Sequence, residues 1–298
     1  MRIGELMLEI AHLFRRFGEH VAVNDVSFDV VPGALTGFVG GNGAGKTTTM
    51  RMIMGVLATH GGEVRWRGRP VTVADRRSFG YMPEERGLYP KQAVIDQLVY
   101  LARLRGVRTA DAGRRAGELL RRFDLAERGK DKLESLSLGN QQRVQIAAAV
   151  IAEPAVLILD EPFSGLDPGA VDSMAALLRE YAVRGVPVLF SSHQLDLVER
   201  LCDQLVILSA GRVVGRGSVA DLRAGGRTRY RLVLGGDTGW LGGFAGVRVL
   251  EANGAAALVE LAGASTDDLL TEALARGSVR ELAEVHQSVS DIYREVTA

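Results

Sequence analysis

Residues 40–47 read Gly-Gly-Asn-Gly-Ala-Gly-Lys-Thr, and this stretch decides the fold of the chain. It matches the pattern G-x-x-x-x-G-K-[ST]. The apolar run before it, residues 34–39, predicts a buried strand, and residues 47–54 after it predict a helix. A strand, a glycine-rich loop and a helix form the context in which this pattern binds phosphate. The alternative, a glycine-rich hairpin with a chance lysine, does not account for both flanks.

The loop has a direct chemical interpretation. Its glycines let backbone amides point at phosphate oxygens, and the helix start adds roughly half a positive charge. Lys46 is predicted to reach the β- and γ-phosphates of a nucleoside triphosphate, and the Thr47 hydroxyl to bind Mg²⁺. The predicted nucleotide-binding residues of this segment are Gly40, Asn42, Gly43, Ala44, Gly45, Lys46, Thr47 and Thr48.

Composition narrows the class of protein. The formal net charge is +0 and the chain has one cysteine, Cys202. A neutral chain argues against a general nucleic-acid partner, and a single cysteine excludes an internal disulfide and favours a reducing cytosol. No stretch approaches the roughly 20 apolar residues of a membrane helix. If the protein works at a membrane, another chain must span it.

Two acids follow a second apolar run. Residues 156–162 read Val-Leu-Ile-Leu-Asp-Glu-Pro, which predicts a buried strand ending in Asp160 and Glu161. An acid at the end of a parallel strand beside the phosphate loop can hold Mg²⁺, and Asp160 is assigned this role. Glu161 can act as a general base on water in line with the γ-phosphate. The alternative is a helix N-cap pair, but the phosphate loop upstream favours catalysis.

Further motifs carry a resemblance to a known family. Residues 136–143 read Leu-Ser-Leu-Gly-Asn-Gln-Gln-Arg, residues 164–168 read Ser-Gly-Leu-Asp-Pro, and residues 191–193 read Ser-Ser-His. With the earlier motifs, they make the chain resemble the ATP-binding subunit of an ABC transporter over about residues 7–224. Leu138 and Asn140 depart from the family signature L-S-G-G-Q.

The resemblance implies an ATP-dependent dimer. In the family, the residues that match Ser137 and Gly139 bind the ATP held by the opposite subunit, so two ATP molecules lie between two cassettes. Asp167 matches the family's D-loop. His193 matches the switch histidine, which would contact the γ-phosphate and hold Glu161 and water in line. A homodimer is expected, and a paired second cassette of another sequence stays open.

Two more positions follow from the resemblance. Phe17 lies where the family stacks an aromatic ring on adenine. Phe14 is the competing candidate, but it ends an alternating strand, which predicts that its side chain belongs to the core. Glu84 stands where the family has its Q-loop glutamine. A carboxylate there can still approach Mg²⁺ and adds a negative charge. The expected metal ligands are therefore Thr47, Glu84 and Asp160.

The sequence predicts an α/β fold, a P-loop ABC cassette with an antiparallel β subdomain and a helical subdomain, plus a small α+β C-terminal domain. The cassette is expected over residues 1–225 with the helical part near 85–152, and the second domain over residues 226–298 after a glycine-rich linker. Alternation predicts strands at 7–14 and 21–30 and a short strand pair at 62–66 and 71–73, and residues 288–291 predict a capping box that opens a last helix.

The resemblance also implies the function. We expect an ATPase that uses ATP and Mg²⁺ to drive a separate membrane permease, located in the cytoplasm on the inner face of the cell membrane. The run at residues 83–89, Pro-Glu-Glu-Arg-Gly-Leu-Tyr, resembles ABC-2-type, exporter-like cassettes and favours export, with import left open. One alternative is a soluble ABC protein of translation or DNA repair, but such proteins usually have two cassettes and this chain has one. A second alternative is a module that only senses nucleotide. The presence of Lys46, Asp160, Glu161 and His193 argues against it. The transported substrate is not encoded in this chain.

Overall fold

The computed structural model describes residues 7–85, 87–224, 228–285 and 288–297. These residues divide into two compact units, one on each side of the Ser218–Val219 peptide bond. The domain boundary expected at residue 225 stays a prediction, because residues 225–227 lie outside the described ranges. Within those ranges, no helix is long and apolar enough to cross a membrane.

The first unit contains two sheets. An antiparallel sheet has the strand order β2-β1-β4-β5, and a larger sheet has the order β10-β9-β3-β8-β7-β6. In the larger sheet every pairing is parallel except that of β9 with β10. The strands are β1 Leu8–Phe17, β2 His20–Val30, β3 Leu35–Val39, β4 Gly61–Trp66, β5 Arg69–Pro70, β6 Phe79–Met82, β7 Val156–Leu159, β8 Val188–Ser192, β9 Gln204–Ser209 and β10 Arg212–Ser218.

Helices cover and extend this sheet framework. Three of them, α3, α4 and α5, pack against one another and form the helical part expected near residues 85–152. The helices are α1 Lys46–Ile53, α2 Val73–Arg76, α3 Val94–Leu104, α4 Thr109–Arg122, α5 Leu138–Val150, α6 Pro168–Val183 and α7 Leu195–Leu201. The α/β architecture predicted from the sequence is therefore confirmed for this unit.

Burial explains the continuous apolar runs. Every residue of β3, β7 and β8 is buried, as expected for parallel strands covered on both faces. Phe28 of β2 packs on Phe38 of β3 with ring centroids 5.1 Å apart, which joins the two sheets in one core. The face of β2 formed by Val26, Phe28 and Val30 is buried throughout. This core fixes the ends of the parallel strands, where the candidate site lies.

Two local predictions were wrong. Strand β1 contains a bulge at His12, whose φ is 52°, and the bulge shifts the inward face so that Leu13 is buried while Phe14 is only half-buried. The strand expected at residues 71–73 is absent, since Thr72 caps helix α2. The Thr72 hydroxyl accepts a hydrogen bond from the Asp75 amide, and the Asp75 carboxylate accepts one from the Thr72 amide. The Thr-x-x-Asp spacing carried this signal in the sequence.

The second unit is a small α+β fold. Its antiparallel sheet has the order β12-β13-β11-β14 and packs around Leu232, Val259 and Leu269. The predicted capping box is confirmed, because Ser288 and Asp291 exchange side-chain to amide hydrogen bonds. The elements are α8 Val219–Ala224, β11 Arg229–Leu234, β12 Val247–Asn253, β13 Ala256–Leu261, α9 Thr266–Arg276, β14 Val279–Val285 and α10 Val289–Thr297.

Candidate active site

The phosphate loop joins β3 to α1, and two of its glycines are required by their surroundings. A Cβ at Gly40 would lie 2.5 Å from the Leu208 carbonyl oxygen. Gly45 caps α1 with a φ of 103°, and a Cβ there would lie 2.5 Å from the Ala22 carbonyl oxygen. Any larger residue at either position would displace the backbone. Glycine at these two positions therefore lets the loop pack directly on the backbone of neighbouring segments.

Lys46 and Thr47 begin α1 and face two different groups. The Lys46 ammonium donates hydrogen bonds to the carbonyl oxygens of Gly40, at 2.7 Å, and Gly41, at 3.3 Å. These contacts hold a buried cation on the loop. A bound phosphate could accept the Lys46 hydrogen bonds in place of the two carbonyl oxygens. The Thr47 hydroxyl donates a hydrogen bond to Glu84 Oε2 at 3.2 Å. Glu84 follows β6, so the parallel sheet brings its carboxylate beside the loop.

Asp160 follows β7 and is 1% exposed. Its Oδ1 accepts a hydrogen bond from the Ser191 hydroxyl at 2.5 Å, whereas its buried Oδ2 has no hydrogen-bond partner within the described residues. Burial raises the pKa of Asp160, and the Ser191 hydrogen bond opposes this rise. A buried carboxylate oxygen without a donor is an unsatisfied acceptor that a cation can satisfy.

The oxygen atoms around Asp160 suit Mg²⁺. Asp160, Glu84 and Thr47 all line the same cleft and offer carboxylate and hydroxyl oxygens. No cluster of three or more His, Cys, Asp or Glu side chains that could hold a metal occurs in the ranges the structure describes. A small number of protein ligands is consistent with Mg²⁺, because this ion keeps several waters and binds through one or two carboxylates together with substrate phosphates.

Glu161 and His193 form the second pair of the site. The Glu161 Oε2 atom lies 3.0 Å from His193 Nδ1, and the Glu161 side chain is only 13% exposed, against 54% for His193. Glu161 follows β7 and His193 follows β8, and these strands pair in parallel. Their side chains therefore meet at the same edge of the sheet. A carboxylate held in this way can accept a proton from a water molecule.

A cleft of about 800 Å³ brings most of the predicted residues together. Phe17 lies at its side, 46% exposed, with the Arg15 guanidinium 4.8 Å from its ring centroid. Phe14 does not line the cleft. The predicted residues that do line it are Phe17, Asn42, Gly43, Ala44, Gly45, Lys46, Thr47, Thr48, Glu84, Asp160, Glu161 and His193.

Four predicted residues do not line the cleft: Gly40, Ser137, Gly139 and Asp167. Ser137 is exposed and caps α5, since its hydroxyl accepts a hydrogen bond from the Asn140 amide at 3.4 Å. Asp167 caps α6 by accepting one from the Ala170 amide at 2.9 Å, and this bond lowers its pKa. Within this chain, both side chains act as helix caps.

The sequence interpretation missed several residues of the site. Gln142 of α5 donates hydrogen bonds from Nε2 to the carbonyl oxygens of Glu161, at 2.9 Å, and Pro162, at 3.0 Å. Ser191 contacts both acids. Six of the missed residues stood inside quoted motifs without a role: Gly41, Leu138, Gln142, Ser164, Gly165 and Ser191. His20 and Ala22 carried no signal. The further residues that line the cleft are His20, Ala22, Gly41, Leu138, Gln142, Ser164 and Gly165.

Comparison with protein families gives two matches. The family model described as ABC transporter matches residues 23–164. The model described as the C-terminal domain of the DrrA1-3-like ATP-binding proteins matches residues 217–297. The first match spans the phosphate loop, Asp160 and Glu161, and the second covers the smaller unit.

Individual proteins agree with these matches. The chain is 46% identical over 217 residues to the ABC transporter ATP-binding protein YhaQ of Bacillus subtilis, which covers 73% of each protein. It is 34% identical over 223 residues to the Nod factor export ATP-binding protein I of Paraburkholderia xenovorans, covering 74% of this chain and 73% of that protein. A solved structure of the ATP-binding subunit of an ABC transporter is 32% identical, with a TM-score of 0.68 and coverage of 90% of this chain and 99% of that one.

Proposed function

The chain belongs to the family of ABC transporter ATP-binding proteins, and we propose that it hydrolyses ATP to drive a separate membrane permease in export. The observation that carries the proposal is the convergence of Lys46, Asp160, Glu161 and His193 on one cleft beside the phosphate loop. A module that only sensed nucleotide would not need a glutamate and a histidine 3.0 Å apart at the same place.

ATP binding uses the loop and the start of α1. The amides of residues 42–48 and the Lys46 ammonium bind the β- and γ-phosphates, and the ring of Phe17 stacks on the adenine. Asp160, Thr47 and Glu84 would hold Mg²⁺, since all three line the cleft and Asp160 Oδ2 has no hydrogen-bond partner among the described residues. Bound there, Mg²⁺ would neutralise charge on the phosphates.

Hydrolysis then requires a positioned base. The Glu161 carboxylate takes a proton from a water molecule while the water oxygen forms a bond to the γ-phosphorus. The bond from that phosphorus to the bridging oxygen breaks, and ADP keeps the electron pair. His193 contacts the γ-phosphate and, through its contact with Glu161 at 3.0 Å, holds the base in line.

A second cassette completes each site in this proposal. Ser137 and Gly139 lie outside the cleft of their own chain, and Ser137 is exposed at the start of α5 together with Leu138, which is 61% exposed. A hydroxyl and amides at a helix start suit the γ-phosphate of ATP bound to a partner subunit. Asp167 caps α6, and its loop would lie near the same interface. In a symmetric homodimer, each chain would supply its Ser137 and Gly139 to the ATP site of the other, so both sites would be completed in the same way.

The proposed direction of transport rests on relatives. A named export protein is 34% identical to this chain, and the smaller unit matches the DrrA1-3-like C-terminal domain. We propose that the protein acts in the cytoplasm on the inner face of the membrane, bound to its permease. Residues 1–225 would form the cassette, and residues 226–298 would serve as an accessory contact domain.

The function can be tested by reconstitution. The tagged full chain is purified from membranes with the membrane protein that accompanies it, and the pair is placed in proteoliposomes. Phosphate release should depend on Mg²⁺ and rise above that of the full chain alone. A chain that binds ATP but releases no phosphate in either setting would refute the proposal.

Direction is measured in the same vesicles. Export predicts ATP-driven movement of substrate away from the side that carries this chain. Movement toward that side would show import.

A further inference from the structure

Glu161 has an unusual backbone conformation. Its φ is 52°, in the left-handed region that side chains with a Cβ rarely adopt. Such strain persists only where neighbouring groups hold it, and it concentrates at functional sites. At this point the chain leaves β7 and turns, with the Ser164 amide donating a hydrogen bond to the Glu161 carbonyl oxygen at 3.2 Å. The proposed base therefore depends on its surroundings for its direction.

Ser191 holds the amide side of this residue. It is fully buried on β8, and its hydroxyl accepts a hydrogen bond from the Glu161 amide at 2.8 Å. The same hydroxyl donates its proton to Asp160 Oδ1 at 2.5 Å. One hydroxyl thus fixes the relative positions of the proposed metal ligand and the proposed base.

Gln142 holds the carbonyl side. Its Nε2 atom donates hydrogen bonds to the carbonyl oxygens of Glu161, at 2.9 Å, and Pro162, at 3.0 Å. Gln142 lies in α5, the helix capped by Ser137, and is 9% exposed. Both peptide groups that flank the Glu161 Cα atom are therefore held by side chains from separate elements.

We propose that Ser191 and Gln142 are positioning residues that together hold Glu161 in its left-handed conformation and aim its carboxylate at the attacking water. We call this pair the Glu161 clamp. The inference rests on the proposed function, because it assigns a role within ATP hydrolysis. It also links α5 to catalysis, since movement of this helix would move the Gln142 amide and with it the base.

The two members of the clamp have separable effects. Ser191 hydrogen-bonds to both Asp160 and Glu161. Among the described residues, Gln142 donates hydrogen bonds to the backbone of Glu161 and Pro162. Ser191→Ala should therefore lower kcat and also raise the Mg²⁺ concentration needed for half-maximal binding of a fluorescent ATP analogue. Gln142→Met should lower kcat with no change in this Mg²⁺ dependence. Each loss of kcat should be about tenfold to hundredfold, the scale of a misplaced catalytic group.

Matched controls come from α5 itself and from β3, the strand that pairs with β8. Gln145 is buried on α5 and Thr36 is buried on β3, and their side-chain polar atoms lack hydrogen-bond partners within the described residues. Gln145→Met and Thr36→Val remove buried polar groups of comparable size away from Glu161. They should leave kcat unchanged, and Ser191→Thr, which keeps the hydroxyl, should retain most of the parental rate.

The decisive experiment is a double-mutant cycle in the full chain at saturating Mg²⁺ and ATP. If the clamp acts through the carboxylate, Ser191→Ala and Gln142→Met should reduce the single-turnover rate of the parent but not the residual rate of Glu161→Gln. Equal losses in both backgrounds, or kcat values close to the parental value, would overturn the clamp. If Ser191→Ala does not fold, the Gln142→Met arm decides alone. A parent no faster than Glu161→Gln would instead refute the proposed function.

Discussion

Replacing Glu161 with glutamine tests the central chemical assignment. Glutamine has nearly the shape of glutamate, so it can fill the same space, 13% exposed, and keep the contact with His193 at 3.0 Å. Its amide cannot accept a proton from water at neutral pH. The variant therefore removes the base while it leaves the phosphate loop and Lys46 unchanged.

The expected magnitude follows from the geometry. A positioned general base contributes about 10²–10⁴ in rate, which corresponds to roughly 3–5 kcal/mol of barrier at about 1.36 kcal/mol per tenfold. Because the carboxylate is mostly buried, bulk water or buffer cannot readily replace it. We expect kcat to fall by this factor while the Kd for ATP changes little, which is the pattern of an interaction made mainly in the transition state.

The assay combines phosphate release with nucleotide binding. Glu153→Gln is the matched control, because Glu153 also has a φ of 52° and also precedes a proline, but pairs with Arg115 at 3.3 Å away from the cleft. Glu153→Gln should keep the parental kcat. A Glu161→Gln rate within a few-fold of the parent would refute the assignment of Glu161 as base, and an equal loss in Glu153→Gln would point to a general effect on the fold.

Three further outcomes are expected. Lys46→Ala should weaken binding of a fluorescent ATP analogue, because the buried Lys46 ammonium lies on the phosphate loop. The surface change Lys91→Ala should not weaken it. Unchanged affinity in Lys46→Ala would contradict the role of Lys46 in phosphate binding. Glu161→Gln with ATP at low Mg²⁺ should dimerise by light scattering, and Ser137→Ala should weaken this dimer; a monomer at high protein and ATP concentrations would count against the shared site. A chain of residues 1–225 should fold and bind ATP with modest destabilisation in a thermal melt; an unfolded product would show that the smaller unit belongs to the cassette core.

The order of the elements along the chain could be predicted wherever the signal is local. The phosphate loop, the strand before Asp160 and the Ser288 capping box all follow from neighbouring residues. The glycines, apolar runs and caps that produce them act within a few positions along the chain. The same locality explains the wrong strand at residues 71–73, where the Thr-x-x-Asp cap was overlooked. Strand β6 was missed because four residues containing a glycine give too short a pattern, and its formation depends on pairing with β7.

The sequence by itself predicted the residues of the candidate site: Lys46, Thr47, Asp160, Glu161 and His193 stand in motifs that begin where buried strands end. Only the tertiary structure decided how they are held. Ser191 lies 30 positions beyond Glu161, and Gln142 lies 19 positions before it, yet both bind its peptide groups. The bulge that buried Leu13 in place of Phe14 likewise arose from pairing between strands. Hydrogen bonds between distant segments form only when the parallel sheet brings its strand ends together, and no local pattern encodes that arrangement.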